Sequence, residues 1–425
     1  MKLRAPAMPR FNRNASLLMA VSGLLSISNM GVHALLRVLY VLRLGHGPEY
    51  VGVFSAVGAL TYTGMSLPSG FLGERFGARK AMLAGTLITV AGMFVMPLTE
   101  FVPGWAQNLW PIASQAVVIA GWSMVNVNLV PALMAVTSAE ERAGAYATSW
   151  ALRSVGTLVG TVSGGMLPGL FASLLGQTLE SARPYGLGLC TGAALGLISL
   201  IPIMFVKEAG QGRQSEGPAS PEPFPLASFM PLAVHVLLTH GGWATCQAFC
   251  NAYMDTALRL PSSAIGLIAG AAQLAAILGS FATPRLSARY GKGQMLITTA
   301  LGTGLFLLPL ALASHWLAAS LGRVGVFAME GIWMPVLQVF QMEQVAAQWR
   351  SRAYGVLSMV MGFSFASASL GGGRLITASG YGSVFLMGAG LCAAGAALLW
   401  ASRRREENRH ARAPTRAPTS PPAGS

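Results

Sequence analysis

Residues 70–80 read GFLGERFGARK, a short charged segment between two long apolar ones. The apolar stretches 50–72 and 80–99 on either side each approach the length of about 20 residues that a helix needs to cross the hydrocarbon core. The segment therefore predicts a tight turn at a membrane surface between two transmembrane helices. Gly70 and Gly77 suit this turn and a close helix approach, because glycine has no Cβ.

Similar apolar stretches recur along the whole chain. Of its 425 residues, 53% are hydrophobic and 10% charged, and the mean hydropathy is +0.56. A soluble domain is usually about 25% charged, so this composition excludes a soluble globular protein. Twelve stretches are long enough to span a membrane: 15–40, 50–72, 80–99, 108–133, 146–172, 185–206, 228–256, 262–284, 294–313, 316–341, 353–377 and 383–401.

The polar segments divide the chain into two halves. Residues 1–206 are predicted to form one six-helix bundle and residues 228–401 a second one. The Pro-, Gly- and Ser-rich segment 207–227 is predicted to be a cytoplasmic linker. The basic and then Pro-rich segment 402–425 has nothing to pack and is predicted to be a disordered cytoplasmic tail.

The net charge of +14 follows the membrane topology. If the N-terminus is cytoplasmic, 21 of the 28 Lys and Arg residues fall in cytoplasmic segments. This positive-inside bias places both termini in the cytoplasm and suits a multi-pass protein of the cell (inner) membrane. The basic excess therefore needs no nucleic-acid partner. The four cysteines all lie in apolar stretches without further ligands, so no metal site is expected.

The two halves also repeat each other in sequence. VGVFSAVGAL at 51–60 aligns with IGLIAGAAQL at 265–274 at an offset of 214. Later in each half, the glycine pair 164–165 aligns with 372–373 at an offset of 208. The repeat predicts two similar bundles around a pseudo-two-fold axis along the membrane normal, an architecture in which transporters bind substrate between the halves.

The segment 70–80 resembles the signature of the major facilitator superfamily, Gly-x3-Asp-Arg-x-Gly-x-Arg-Arg, with Glu74 in place of Asp and Lys80 in place of Arg. The resemblance covers residues 15–401. The chain is also similar to bacterial efflux members of the family in its compact length. It implies an all-α integral membrane protein of twelve transmembrane helices in two pseudo-symmetric bundles. It also implies a conformational gate in this loop, where the alternative is a charge cluster that only sets topology. The gate residues are Gly70, Glu74, Arg75, Gly77, Arg79 and Lys80.

A second segment, GTLVGTVSGG at 156–165, is similar to a glycine motif of the family's antiporters. Thr161 replaces the proline of that motif, which weakens the antiport interpretation. Close packing of small residues between helices is an equally good explanation.

Polar side chains inside the apolar stretches are costly and therefore indicate function. The first and seventh stretches, which are equivalent in the repeat, each carry polar residues at helical spacing. In the family both helices line the central cavity, so we expect an aqueous path along them rather than contacts that only join helices. The substrate-cavity candidates from all stretches are Asn29, His33, Arg37, Trp122, Asn126, Arg153, His235, Trp243, Gln247, Asn251 and Gln338.

Glu330 is the one acidic residue well inside a predicted span. A carboxyl group there is the candidate proton carrier, and the alternative is a structural pair with Arg323 or another cation. Arg37 and Arg153 present planar forks that suit a carboxylate or phosphate. They favour an anionic or zwitterionic substrate.

The sequence thus predicts a secondary active transporter that exports a small organic molecule in exchange for protons, by alternating access. It has no ATP-binding loop and no catalytic constellation, so we expect neither an enzyme nor a cofactor, and we expect a monomer. Proton-coupled uptake of an organic anion is the first alternative. A transporter-like sensor or scaffold is the second, although a gate and a polar cavity would serve no purpose in it.

Overall fold

A computed structural model describes residues 11–138, 141–207, 226–346 and 349–412. Within these ranges the chain is almost entirely helical and contains no strand. The long helices are α1 (Arg13–Arg43), α2 (Pro48–Phe76), α3 (Ala78–Phe101), α4 (Trp110–Ala135), α5 (Arg142–Leu175), α6 (Arg183–Phe205), α7 (Leu226–Ala252), α8 (Ser262–Tyr290), α9 (Lys292–Leu312), α10 (Trp316–Glu343), α11 (Arg350–Ser379) and α12 (Tyr381–Arg412).

Twelve helices of this kind agree with the predicted fold class. In the described ranges, eleven are long and apolar enough to cross a membrane. The twelfth, α7, has 27 residues and packs against α11 and α12. Most of the predicted linker, residues 207–227, lies outside the described residues. The last 13 residues of the predicted tail lie wholly outside them. The stretch 402–412, which we expected to be disordered, instead continues α12 as a helix, because helix propensity in its Arg- and Glu-rich sequence needs no apolar face.

Helices α1–α6 form the N-terminal bundle and α7–α12 the C-terminal bundle. We call the end of the molecule where α1 begins and α12 ends the terminus face, and the other end the opposite face. Two helix pairs join the bundles: α2 packs against α11, and α5 packs against α8. These pairs are equivalent under the repeat, so the pseudo-two-fold axis passes between them.

Four glycines bring these helix pairs into backbone contact. A Cβ added at Gly165 of α5 would lie 2.8 Å from the Cα of Gly266 in α8. A Cβ added at Gly52 of α2 would lie 3.2 Å from the Cα of Gly373 in α11. The offsets of 214 and 208 convert one pair into the other, so the sequence repeat corresponds to two copies of one contact. Both contacts lie toward the opposite face.

Two ion pairs between the bundles lie at the same face. Arg43, at the end of α1, donates two hydrogen bonds to the Asp255 carboxylate at the end of α7, at 2.6 and 2.7 Å. The Asp255 side chain is 1% exposed. The second pair, Arg374 with Glu49, is longer at 3.6 Å and its side chains are 81% and 55% exposed. The structure is therefore closed at the opposite face.

The turn between α2 and α3 is glycine-dependent, as the sequence predicts. Gly77 has a φ of +92°, and its repeat equivalent Gly291 has a φ of +80° between α8 and α9. The expected close approach at Gly70 is wrong, because its nearest contact is an ordinary one at 3.9 Å. The approach occurs one turn later at Gly73, which packs against Asn128 of α4. The Asn128 amide donates to the carbonyls of Ser69 and Met124.

Valine at Gly165 or Gly373 is predicted to shift the protein away from the state closed at the opposite face, because the added side chain meets backbone that has no room to move. The matched controls are valine at Gly169 and Gly371, on the same two helices, where nothing lies within 4 Å. Spin labels on Thr178→Cys and Ser379→Cys, in a background without native thiols, report the distance between the bundles. Equal distance distributions in the test and control variants would show that the glycine contacts do not set the closed state.

Replacing Asp255 by Asn is predicted to destabilise the protein by about 3 kcal/mol, because it leaves the Arg43 guanidinium without its counter-charge. Replacing Glu49 by Gln should cost less than about 1 kcal/mol, since that pair is exposed to solvent. Thermal unfolding of the purified protein measures both, and combining Arg43→Asp with Asp255→Arg should recover part of the loss. A loss of stability as large in the Glu49 variant as in the Asp255 variant would contradict this ranking.

Candidate functional site

A cavity of about 40 Å³ lies between the bundles, beneath the closed opposite face. Its wall combines helices of both halves: α1 and α5 from the N-terminal bundle, and α7, α8 and α10 from the C-terminal bundle. This volume holds a few water molecules, since a water needs roughly 10–15 Å³ of such space. The lining residues are Met30, Ala34, Leu35, Thr161, Gln247, Asn251, Ala269, Gln273, Arg323 and Phe327. We call it the central cavity.

The two sides of the central cavity differ in chemistry. Gln247, Asn251, Gln273 and Arg323 all come from the C-terminal bundle. From the N-terminal bundle, α1 contributes apolar side chains, and α5 contributes a threonine whose hydroxyl is already bonded to its own helix. The central cavity thus has a polar, cationic wall facing an apolar one.

The polar stripe of α1 lies elsewhere than the sequence predicts. Asn29 and His33 are fully buried and do not line the central cavity, which contacts the neighbouring residues Met30 and Ala34 instead. The cause is a π-helical segment over Ser26–His33, whose wider turns rotate the face expected from α-helical spacing. The side-chain nitrogen and oxygen atoms of Asn29 and His33 have no hydrogen-bond partner in the described part of the chain.

Arg323 is the charged group of the central cavity. It is 6% exposed and donates through Nη1 to the amide oxygen of Asn251. Its guanidinium carbon lies 5.7 Å from the centre of the Phe327 ring, and its Nε has no partner. Among the described residues no carboxylate forms an ion pair with it, so the alternative of a structural pair with Glu330 does not hold in this state.

Glu330 lies in a second, smaller cavity inside the C-terminal bundle. This cavity measures about 10 Å³ and is lined by Thr239, His240, Trp243, Thr303, Glu330 and Trp333 of α7, α9 and α10. The Trp243 indole lies beside the carboxylate without a hydrogen bond of ordinary geometry. In the described ranges Glu330 has no ion-pair partner. We call this space the acid cavity.

His235 takes a structural place one turn before the acid cavity. It accepts a hydrogen bond at Nε2 from the Trp333 indole at 3.3 Å and donates from Nδ1 to the Gly395 carbonyl at 3.0 Å. Both ring nitrogens are therefore occupied within the C-terminal bundle, and the ring lines neither cavity. The stripe of α7 consequently divides into a buried part at His235, the acid cavity at Trp243, and the central cavity at Gln247 and Asn251.

Arg153 and Asn126, both predicted as cavity residues, instead contact each other within the N-terminal bundle. Arg153 of α5 donates through Nη1 to the Asn126 side chain of α4 at 2.8 Å, and the Asn126 amide donates to the Tyr62 hydroxyl of α2 at 2.6 Å. The Arg153 guanidinium also lies over the rings of Trp122 and Trp150, 5.1 and 5.2 Å from their centres. This cluster lies in the N-terminal bundle, outside both cavities.

Arg37 and Gln338 also lie outside the two cavities. Arg37 donates to the Gln115 side chain of α4 at 3.2 Å, and its Nε is buried without a partner. Gln338 is exposed on the terminus-face half of α10. The structure therefore brings together Gln247 and Asn251 around Arg323, and separates them from the arginines of the N-terminal bundle.

The loop between α2 and α3 makes contacts within its own bundle in this state. Arg79 donates to the Met204 carbonyl of α6 at 2.6 Å, while Arg75 lies over the Phe76 ring. Glu74 and Lys80 are exposed at the terminus face. The role of this loop in gating stays a prediction.

The glycine motif of α5 serves helix packing here. A Cβ at Gly156 would lie 2.5 Å from the Gly23 carbonyl oxygen of α1, and one at Gly164 would lie 2.9 Å from the Val32 Cα. Gly165 continues the same row onto α8. Close packing is thus the observed function of the motif, and it gives no support to antiport.

Two residues of the central cavity have no signal of their own in the sequence. Gln273 lies in α8, where one polar residue among small ones resembles many helix surfaces. The sequence suggests Glu330 as a partner for Arg323. Helical spacing alone does not reveal that its neighbour is Asn251, 72 residues away. The signal that groups Gln273 and Arg323 with Asn251 is a polar residue at the same membrane depth on each of α7, α8 and α10.

Comparisons with known proteins agree with this architecture. The profile of the Major Facilitator Superfamily matches residues 18–254 and 232–424. No curated protein matches the sequence. Solved structures do match, at identities that show a common fold and nothing beyond it.

Three of these structures span almost the whole chain. A mutant form of the nucleoside transporter NupG has a TM-score of 0.72 at 14% identity, over 92% of this chain and 99% of that chain. A D-xylose-proton symporter has a TM-score of 0.72 at 13% identity, over 91% and 97%. A bacterial homologue of the human lysosomal transporter Spinster, inward-facing and occupied, has a TM-score of 0.69 at 13% identity, over 92% and 96%.

The profile covers both six-helix bundles, and the helix order and repeat are those of the fold it describes. The chain is therefore a multi-pass membrane protein that belongs to the major facilitator superfamily.

Proposed function

We propose that this protein is a proton-coupled secondary transporter that exports a small organic molecule by alternating access. The observation that carries the proposal is the central cavity between two bundles that are joined at the opposite face by glycine contacts and ion pairs. These contacts between the bundles can break and re-form, because close backbone packing and a buried ion pair are each either present or absent, with no stable state in between. Rocking around the cavity would expose it to each side in turn.

The charge distribution supports the orientation in the membrane. Under the positive-inside rule the terminus face is cytoplasmic, so the closed opposite face is the outer one. The structure then represents the state that is closed to the outside. The protein would reside in the cell (inner) membrane, with both termini in the cytoplasm.

Glu330 is the proposed proton carrier. It lies at the middle of α10, in the acid cavity, with no cation in ion-pair contact among the described residues. An ionised carboxylate without a partner costs several kcal/mol at such a site, so the group gains by binding a proton. The acid cavity has room for about one water molecule, through which a proton can arrive or leave.

Arg37 and Arg153 are proposed to contribute positive charge to substrate binding or to coupling. Their hydrogen-bond partners are the neutral amides Gln115 and Asn126, so each keeps its full charge available to an anionic or zwitterionic substrate. The loop residues Glu74, Arg75 and Arg79 are proposed to change their contacts between the two states at the terminus face. The protein is proposed to work as a monomer.

Uptake of an organic anion by proton symport is the second candidate. The specific observation in its favour is that three buried or half-buried arginines, Arg37, Arg153 and Arg323, are bonded to amides rather than to carboxylates. An anion that enters with a proton would bring the missing negative charge. Export and uptake share this cavity and differ in which gradient drives them.

Replacing Glu330 by Gln is predicted to abolish the pH-gradient dependence of transport, because glutamine cannot load a proton. The measurement is solute flux into proteoliposomes under an imposed pH gradient, with a panel of small organic solutes and both gradient polarities. The matched control is Glu100→Gln, an acid at the opposite face whose pair with Arg183 is 3.5 Å long and partly exposed. That variant should keep the wild-type pH dependence.

Full-rate transport by the Glu330 variant with unchanged pH dependence would overturn the assignment of the proton carrier. Flux that accumulates solute inside vesicles with the proton gradient, rather than against it, would favour uptake over export. Absence of flux of every solute under both polarities would favour the non-transporting sensor or scaffold.

A further inference from the structure

Arg323 occupies an unusual place for a cation. It is almost fully buried in the membrane interior, yet it donates to the neutral side chain of Asn251 and otherwise has the Cys250 thiol, not a carboxylate, beside it. Its Nε remains without a partner. Because a buried guanidinium is strongly destabilised without a negative charge, a site of this kind is completed by an anion.

The groups around Arg323 are arranged to receive one. Gln247 and Asn251 of α7 lie one helical turn apart, and Gln273 of α8 faces the same cavity. Each amide carries two N–H donors. Since the wall contains donors and a cation but no carboxylate among the described residues, it favours a negatively charged group over a neutral or positive one.

The other wall indicates the rest of the ligand. Met30, Ala34 and Leu35 of α1 face the arginine across the central cavity, and Phe327 lies beside it on α10. The hydroxyl of Thr161, the polar group on this wall, is already bonded to its own helix, so the wall suits an apolar body. The present volume of about 40 Å³ is smaller than an organic molecule, so the ligand must enter when the bundles have separated.

We propose that Arg323, with Asn251, Gln247 and Gln273, binds the carboxylate of an organic anion whose apolar body lies on α1. The amide oxygen of Asn251 accepts from the guanidinium at the position that one carboxylate oxygen would take. The guanidinium fork then exchanges this neutral acceptor for a charged one, which gives shorter and stronger hydrogen bonds. This inference rests on the proposed transport function and names the substrate class at its central cavity.

The proposal moves the main anion contact to the C-terminal bundle. Arg37 and Arg153 remain bonded inside the N-terminal bundle and do not line the central cavity. They contribute long-range positive potential rather than direct contact. The proposal therefore predicts that substitution of Arg323 abolishes the preference for a carboxylate, whereas substitution of Arg37 or Arg153 alone does not abolish binding.

The test is equilibrium binding of radiolabelled benzoate and octanoate to the purified full-length protein in lipid nanodiscs, without any gradient. Wild type is expected to bind at least one of these carboxylates at least about tenfold more tightly than the matching neutral amide, benzamide or octanamide. Arg323→Gln should lose this preference, and Arg323→Lys should keep only part of it. Arg183→Gln, at the exposed start of α6, is the matched control and should bind as wild type does.

Asn251→Asp keeps the test valid even if loss of Arg323 prevents folding. The new carboxylate would pair with Arg323 in place of the ligand, so this variant should fold at least as stably as wild type and bind carboxylates at least about tenfold more weakly. Asn251→Ala, by contrast, removes one donor but leaves the guanidinium free, so it should weaken carboxylate binding less than Asn251→Asp does. Phenyl phosphate that competes with benzoate no better than phenol supports a carboxylate site, and stronger competition than benzoate itself would overturn the carboxylate assignment.

Several outcomes would overturn the proposal. They are the absence of binding by either carboxylate, equal binding of carboxylate and amide, unchanged binding in Arg323→Gln or Asn251→Asp, and loss of binding in Arg37→Gln or Arg153→Gln alone. Because no gradient is applied, these results do not depend on proton coupling. A failure of Glu330 as proton carrier would thus leave the anion site standing, and a failure of the anion site would leave the flux test of Glu330 intact.

Discussion

The close approach of two helix pairs at the opposite face is the contact on which the other features depend. Inside a bilayer, apolar area buried between helices gives no gain over contact with lipid, so association relies on packing and on polar contacts. Gly165 on Gly266, and Gly52 on Gly373, let four helices pack backbone to backbone. The Arg43–Asp255 pair then lies between the bundles, and the central cavity lies directly beneath it.

The second constraint is the cost of charge in the membrane interior. The described spans contain few ionisable groups, and these divide into a paired set at the opposite face and an unpaired set deeper in the bundles. The ion pair at the opposite face is complete, whereas Glu330, Arg323, Arg153 and Arg37 lack partners of opposite charge in the state observed. Groups of this kind store free energy that a bound proton or a bound anion can release. This stored free energy is what a transporter needs to couple two ligands to one motion.

The sequence predicts the fold far better than it predicts the cavity. Span length, charge bias and the offsets of 214 and 208 are local or repetitive properties, and they lead to twelve helices in two pseudo-symmetric bundles. The rotation of α1 depends on the π-helical segment Ser26–His33, which no hydrophobic pattern reveals, so the expected lining residues Asn29 and His33 were displaced by Met30 and Ala34. Likewise, close approach at Gly73 rather than Gly70 depends on the position of Asn128 in α4, a contact between distant parts of the chain.

The two cavities are connected by the helices that line them. Phe327 of the central cavity and Glu330 of the acid cavity lie three residues apart on α10, and Gln247 and Trp243 lie four residues apart on α7, so about one helical turn separates the two cavities along each helix. An anion that draws Arg323 away from Asn251 changes a contact between α7 and α10. The same two helices hold the Glu330 carboxylate beside Trp243. In the proposed mechanism, anion binding at one cavity and protonation at the other would therefore act on a single helix pair, which is a sufficient physical link between substrate and proton without any contact between them.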